Sequence, residues 1–209
     1  PTEDDLRRLS TANIPTVLVE AFHPDLHSIF LDDVAASRNA VEHLIALGHR
    51  KIGYISDYLD DPFGSLFSRN RYLGYRQALE AAGLSLRPDY HRQVWPGREE
   101  GYHMALDLLS LADPPTAIFA YSDELALGVL EAARDLKFTV PSDLSVVGYD
   151  DIRLAQFAQL TTVRQYLFES GVQGVELLFE VINTPTMPLV HRQLPTELIV
   201  RQTTAPPSR

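Results

Sequence analysis

Four short apolar runs in this chain end in oxygen-bearing side chains. Asp32 closes the run 28–31, Ser56 and Asp57 close 52–55, Ser122 and Asp123 close 117–121, and Asp150 and Asp151 close 144–148. Carboxylates in such places accept hydrogen bonds from sugar hydroxyls or amine donors, and charge-assisted bonds of this kind are short and about twice as strong as neutral ones. A cation joins the set. Arg71 falls near the start of a helix expected from residue 69 to 82, where the helix dipole disfavours positive charge, so a ligand or an acidic partner must hold it. Trp95, the single tryptophan, lies in the loop Val94-Trp95-Pro96-Gly97, where an aromatic ring can stack on a ligand.

Each of these residues also has a plain structural reading. Asp123 stands where a helix N-cap is expected, and Asp32 or Asp33 is placed to cap the helix that follows them. Asp151 reads as a turn residue, Arg71 can pair with an acid of the 57–61 loop, and Trp95 can serve packing alone. Asp150 is the acid best placed to touch a ligand.

The elements that position these groups alternate between strand and helix. Residues 14–19 and 28–31 read as strands, and 36–47 as an amphipathic helix with Ala36, Ala40, Val41, Leu44 and Ile45 on one face and Gly48 as its stop. Strand 52–55, a loop to Ser68, helix 69–82, helix 99–109, strand 117–121, helix 124–136 and strand 144–148 follow. A polar connector spans 153–162. Helix 167–182 has Val172, Val175, Phe179 and Ile182 as its expected inner stripe, strand 194–200 comes last, and the tail 205–209 reads as loose. Strand–helix–strand units of this length imply parallel strands with right-handed crossovers. In such sheets, ligands bind beyond the carboxyl ends of the strands. Residues 3–12 look like the end of a helix, an odd opening for a doubly wound domain.

Composition narrows the function classes. The chain has 209 residues, 45% of them apolar and 22% charged, and no cysteine, so disulfide and thiolate chemistry are excluded. Its net charge is −10 and its basic residues are scattered, a poor match for phosphate contacts, so any DNA contact is expected outside this chain. No apolar run is long enough to span a membrane, and the acidic N-terminus does not read as a secretory signal. No Gly-x-Ser-x-Gly elbow, Gly-x-Gly fingerprint or phosphate loop occurs, and the seven histidines show no metal-ligand spacing.

The ordered segments Asp32-Asp33, VEHLIALGHRKI (41–52), RYLGYRQAL (71–79), PPTAIFAYSDELALG (114–128), VPSDLSVVGYDD (140–151), LTTVRQ (160–165) and LPTEL (194–198) resemble the effector-binding core of LacI/GalR-type bacterial transcriptional regulators. The resemblance spans nearly the whole chain. It implies an α/β, periplasmic-binding-protein-like fold of two doubly wound parallel-sheet subdomains with three crossings. Residues 1–50 with 164–190 would form the first, incomplete subdomain, and 51–163 with 191–209 the second. The family's N-terminal helix-turn-helix and the first strand–helix–strand find no counterpart here. Ser122 replaces the family's Asn, Asp32-Asp33 its Asp-Asn pair, and Trp95 or Pro96 its displaced loop aromatic.

Carried over, the pattern makes Arg71 and Asp150 polar clamps on the ligand. Ser122, beside Asp123, takes a contact position, Trp95 and Phe67 form apolar walls, and Gln165 lies at a crossover near the inter-subdomain cleft. The implied protein is a cytoplasmic homodimeric sensor of a small polar effector, a sugar, with no cofactor, metal, catalytic or membrane role. DNA would be read by the helix-turn-helix, and dimer surface would come from 124–134 and 152–158 through Leu127, Leu130 and Phe157. Two rivals share the pattern: a solute-binding protein of an ABC sugar importer, and an α/β enzyme that uses the paired aspartates.

Overall fold

A computed structural model describes residues 3–12, 14–60 and 66–208. Its elements run α1 (Glu3–Thr11), β1 (Val17–Val19), β2 (His27–Phe30), α2 (Asp33–Ala46), β3 (Ile52–Ser56), α3 (Leu66–Ala81) and β4 (His91–Gln93). Then come α4 (Arg98–Leu109), β5 (Ala117–Ala120), α5 (Asp123–Asp135), β6 (Ser145–Asp150), α6 (Arg153–Phe157), β7 (Thr161–Arg164), α7 (Leu167–Asn183), β8 (His191–Gln193) and β9 (Glu197–Ile199). The chain packs into two units. The first holds residues up to Asp32 with Gln165–Thr196, and the second holds Asp33–Asp60, Leu66–Arg164 and the chain from Glu197 onward.

The expected boundaries differ from this division at both ends. Helix α2 belongs to the second unit, because Ala36, Ala40, Val41 and Leu44 bury against Ile52, Tyr54, Tyr75 and Phe119. Gly74 permits the close crossing of α2 and α3: a Cβ there would lie 2.4 Å from the Val34 carbonyl oxygen. Residues 191–196 fall in the first unit, where β8 pairs with β2. Pro195 separates β8 from β9, so the expected strand 194–200 is shorter and begins after the proline.

The first unit carries a three-stranded parallel sheet in the order β1-β2-β8, with Ile29, Leu31, Leu177, Val181 and Leu194 at its core. The expected inner stripe of α7 is on the wrong face. Val172, Val175, Phe179 and Ile182 are exposed, and Ser170, Gly174, Leu177 and Val181 are buried. The helix is apolar on both sides, so periodicity alone does not say which side meets the sheet. The smaller residues decide it, because a Cβ on Gly174 would sit 2.5 Å from Cγ2 of Val19 on β1.

The second unit has six strands in the order β4-β3-β5-β6-β7-β9, all parallel except the last. Helices α2 and α3 cover one face and α4 and α5 the other, each over its own apolar cluster. The stretch 153–162 is more than a connector, since it holds α6 and opens β7 with β-branched Thr161-Thr162. The described part of the tail is docked. Thr203 exchanges hydrogen bonds with Val146, its backbone oxygen accepting at 2.8 Å and its Oγ1 donating at 2.7 Å. The buried His49 ring donates from Nε2 to the Ala205 carbonyl at 2.9 Å, which leaves Nδ1 to accept from Thr116 Oγ1 at 2.9 Å.

Candidate functional site

The strand order of the second unit creates one topological switch point. From β3 the chain passes to α3 on one face, and from β5 to α5 on the other, although β3 and β5 are neighbours. A doubly wound sheet opens a crevice where its order reverses, beyond the carboxyl ends of the strands. Ser56 and Asp57 end β3 there, Tyr121 and Ser122 follow β5, and Asp150 ends β6.

Arg71 is the centre of this edge. Helix α3 starts at Leu66 rather than at 69, so Arg71 sits in its second turn and the helix dipole does not explain its placement. Its contacts do. Arg71 is 5% exposed; its Nε donates to Asp33 Oδ1 at 3.0 Å and its Nη1 to the Tyr121 carbonyl at 2.8 Å. Asp150 Oδ1 lies 3.7 Å from Nη1, and the Tyr149 hydroxyl donates to Asp33 Oδ1 at 2.9 Å. The guanidinium carbon stands 3.7 Å from the centre of the Tyr149 ring and 4.5 Å from that of Tyr121. A cation over a desolvated ring gains about 2 kcal/mol. Burial pulls the Arg71 pKa down, but Tyr149, Asp33 and Asp150 hold it above its ordinary value. Burial also pushes the Tyr149 phenol up, against the pull of Arg71.

The partner of Arg71 is therefore Asp33, not an acid of the 57–61 loop, of which residue 61 lies outside the described residues. Asp150 is the more open end of the cluster: its side chain is 22% exposed against 6% for Arg71. It holds φ at 117°, far from the usual left-handed well, which costs on the order of 1–3 kcal/mol. One guanidinium between Asp33 and Asp150 leaves a net negative charge. Such a site favours hydroxyl or amine donors over anions.

Ser122, not Asp123, is the N-cap of α5, its hydroxyl accepting from the Leu125 N–H at 3.4 Å. Asp123 is fully buried and turned inward, its carboxylate accepting from Thr162 Oγ1 at 2.5 Å and from the Ile152 N–H at 2.8 Å. Its assignment as cap or ligand contact gives way to a structural one, because both oxygens bond inside the fold. Burial raises its pKa to about 7, against the pull of these two bonds.

Trp95 is half exposed and meets Tyr58 edge-on, ring centres 5.2 Å apart. Phe67 is half-buried in the first turn of α3, four residues before Arg71. Gln165 is buried and belongs to the first unit. Asp151 is a turn residue at φ 56°, and it is also an ion-pair centre for Arg164 and Arg201 at 2.7 and 2.6 Å. The structure thus joins Arg71 and Asp150, places Ser122 next to the Tyr121 that Arg71 contacts, and adds Asp33, Tyr121 and Tyr149, which sequence reasoning missed. Tyr149 precedes Asp150 directly, a signal that was available. Among the described residues, no group of three or more His, Asp or Glu is placed to hold a metal ion.

A family model described as "Periplasmic binding protein-like domain" matches residues 41–204. Catabolite control protein A of Priestia megaterium is 32% identical over 207 residues, 97% of this chain and 61% of that protein. The HTH-type transcriptional repressor CytR of Escherichia coli K12 is 34% identical over 194 residues, 91% of this chain and 56% of that protein. The chain therefore spans about three-fifths of the length of these relatives. A LacI-type regulator from Bacillus cereus subsp. cytotoxis superposes with a TM-score of 0.88 at 29% identity, covering 97% of this chain and 72% of that one. A LacI-family regulator from Enterococcus faecium, solved with bound ribose, gives 0.85 at 26% identity, covering 98% and 76%. The regulator CelR in complex with cellobiose gives 0.77 at 31%, covering 85% and 54%. The chain belongs to the periplasmic-binding-protein-like domain family, its homologues are LacI-family transcriptional regulators, and it spans the part that forms their effector-binding core.

Proposed function

We propose that this chain is the sensing core of a LacI-type transcriptional regulator and that it binds a neutral sugar at the carboxyl edge of its six-stranded sheet. The observation that carries the reading is the Arg71 guanidinium held between Asp33 and Asp150 at the switch point. Asp150 accepts from sugar hydroxyls, Arg71 donates to them, and Ser122 offers its remaining hydroxyl proton. Trp95 and Phe67 supply apolar surface for the ring face. The ribose and cellobiose held by two structural relatives support a sugar, and the net negative cluster argues against a sugar phosphate.

Occupancy controls DNA binding by a helix-turn-helix outside this chain, in a homodimer that acts in the cytoplasm. Leu154 and Phe157 of α6, 52% and 78% exposed, supply apolar dimer surface, with the half-buried Leu127 and Leu130 of α5.

A thermal-shift screen of ribose, cellobiose, other neutral sugars, sugar phosphates and nucleosides tests the effector. At a hundredfold excess over Kd, a bound sugar stabilises the chain by about 2.7 kcal/mol. Asp150→Asn is expected to fold and to lose that shift. Shifts from nucleosides or phosphates alone would remove the neutral-sugar assignment, and a full sugar shift in Asp150→Asn would remove the clamp.

A further inference from the structure

The chain crosses between its two units at points that include Asp32/Asp33, Arg164/Gln165 and Thr196/Glu197. On the second unit's side, each of these crossings begins or ends on a charged residue: Asp33, Arg164 and Glu197. They belong to two sets of ion pairs that meet at the adjacent residues Asp150 and Asp151. Asp33 pairs with Arg71 at 3.0 Å, and Arg71 with Asp150 at 3.7 Å. The next residue, Asp151, pairs with Arg164 at 2.7 Å and with Arg201 at 2.6 Å. Arg164 reaches Glu197 at 3.7 Å, and the two stand opposite each other in the β7/β9 register.

The joint of the two sets is two consecutive residues at positive φ, Asp150 at 117° and Asp151 at 56°. They share one planar peptide, so a turn of that plane changes ψ of Asp150 and φ of Asp151 together. The Asp151 side chain is 2% exposed, and removing it from its two guanidiniums would strand buried charge. Its side chain therefore resists following such a change unless the arginines move with it.

We infer that the Asp150–Asp151 pair is a relay, through which effector contact at Arg71 and Asp150 acts on the strand ends Arg164 and Glu197. Asp151 is a positioning residue in this scheme and does not touch the effector. The relay rests on the proposed effector role of Arg71 and Asp150, but the joint between the ion-pair sets is testable without any ligand. Spatial continuity is not coupling, so coupling itself is what must be measured.

A double-mutant cycle with Arg71→Lys and Arg201→Lys does so, read by urea unfolding of the whole chain. Both variants keep their charge, and their side chains share no hydrogen-bond or ion-pair partner. Independent sites add, whereas members of one ion-pair network do not. A relay predicts that the double variant departs from additivity by about fivefold in the unfolding constant. Additive effects overturn it.

The second arm follows amide exchange at 161–164 and 197–201 on adding ribose or cellobiose. The relay predicts slower exchange there in the wild type and no response in Asp151→Asn, with sugar binding by calorimetry retained. An unchanged response in Asp151→Asn overturns the relay. Failure of every sugar to bind the wild type instead overturns the effector reading and leaves the urea cycle to decide the relay.

Discussion

Asp123→Asn should abolish a pH dependence of stability that the wild type carries. The Asp123 carboxyl is fully buried, and burial raises its pKa from 3.8 to about 7. Between those two values the folded chain keeps a proton that the unfolded chain has released. Stability from this group therefore falls as pH rises through that window and levels off above it. A shift of about 3 units corresponds to about 4 kcal/mol, of which about 2–3 kcal/mol is lost between about pH 5 and about pH 8. Asparagine fits the same place, because its oxygen can accept from the Ile152 N–H and its amide can donate to Thr162 Oγ1. Urea unfolding of both proteins at the two pH values isolates the effect, since every other titrating group cancels in the difference. The variant should gain about 2–3 kcal/mol on the wild type as pH rises. Parallel pH profiles would show that Asp123 is ionised in the fold at its ordinary cost, and the account of its burial would fail.

Gly128→Ala should cost about 1–3 kcal/mol in urea unfolding, because its Cβ would sit 2.1 Å from the Arg98 carbonyl oxygen where α4 meets α5. His49→Ala should destabilise by about 1–3 kcal/mol and speed amide exchange at 203–205, since the ring holds the tail through Ala205 and bonds Thr116 and Ser145. Trp95 is the only tryptophan, so its emission should shift on adding an effector sugar; an unchanged spectrum with calorimetric binding would place the sugar away from that loop.

The parts of this fold legible in the sequence are those set by short-range pattern. Acids at strand ends mark the carboxyl edge because strand, turn and helix are contiguous there, and Asp150 reads from that edge, whereas Arg71 stands out through an expected helix start that lies three residues earlier in the fold. What escaped was set by distant partners. Asp33 reads locally as a cap; only the Tyr149 hydroxyl, 116 residues away, and Arg71 show it to be the counter-ion. Ser122 and Asp123 are equivalent caps by composition, and Thr162, 39 residues on, decides which one turns inward. The tail looked loose because His49, 156 residues from Ala205, cannot be seen from its composition. Helix α7 carries an apolar stripe on each side, so its pattern was real and its direction undetermined.

The cluster of the proposed effector site is fixed by its own contacts. Arg71 and Tyr149 are both held above their ordinary pKa values, so near neutral pH neither gives up a proton. The guanidinium presents its remaining donors in fixed directions, pinned by Asp33 and the Tyr121 carbonyl, while the Tyr149 phenol gives its proton to Asp33 in a hydrogen bond and so fixes that carboxylate. Orienting donors before a ligand arrives removes part of the entropic cost of association. The one strained member, Asp150, is more open than Arg71 and lies next to the residue that binds Arg164 and Arg201. The strain at Asp150 is thus continuous with charged anchors at the strand ends, as the proposed sensor requires.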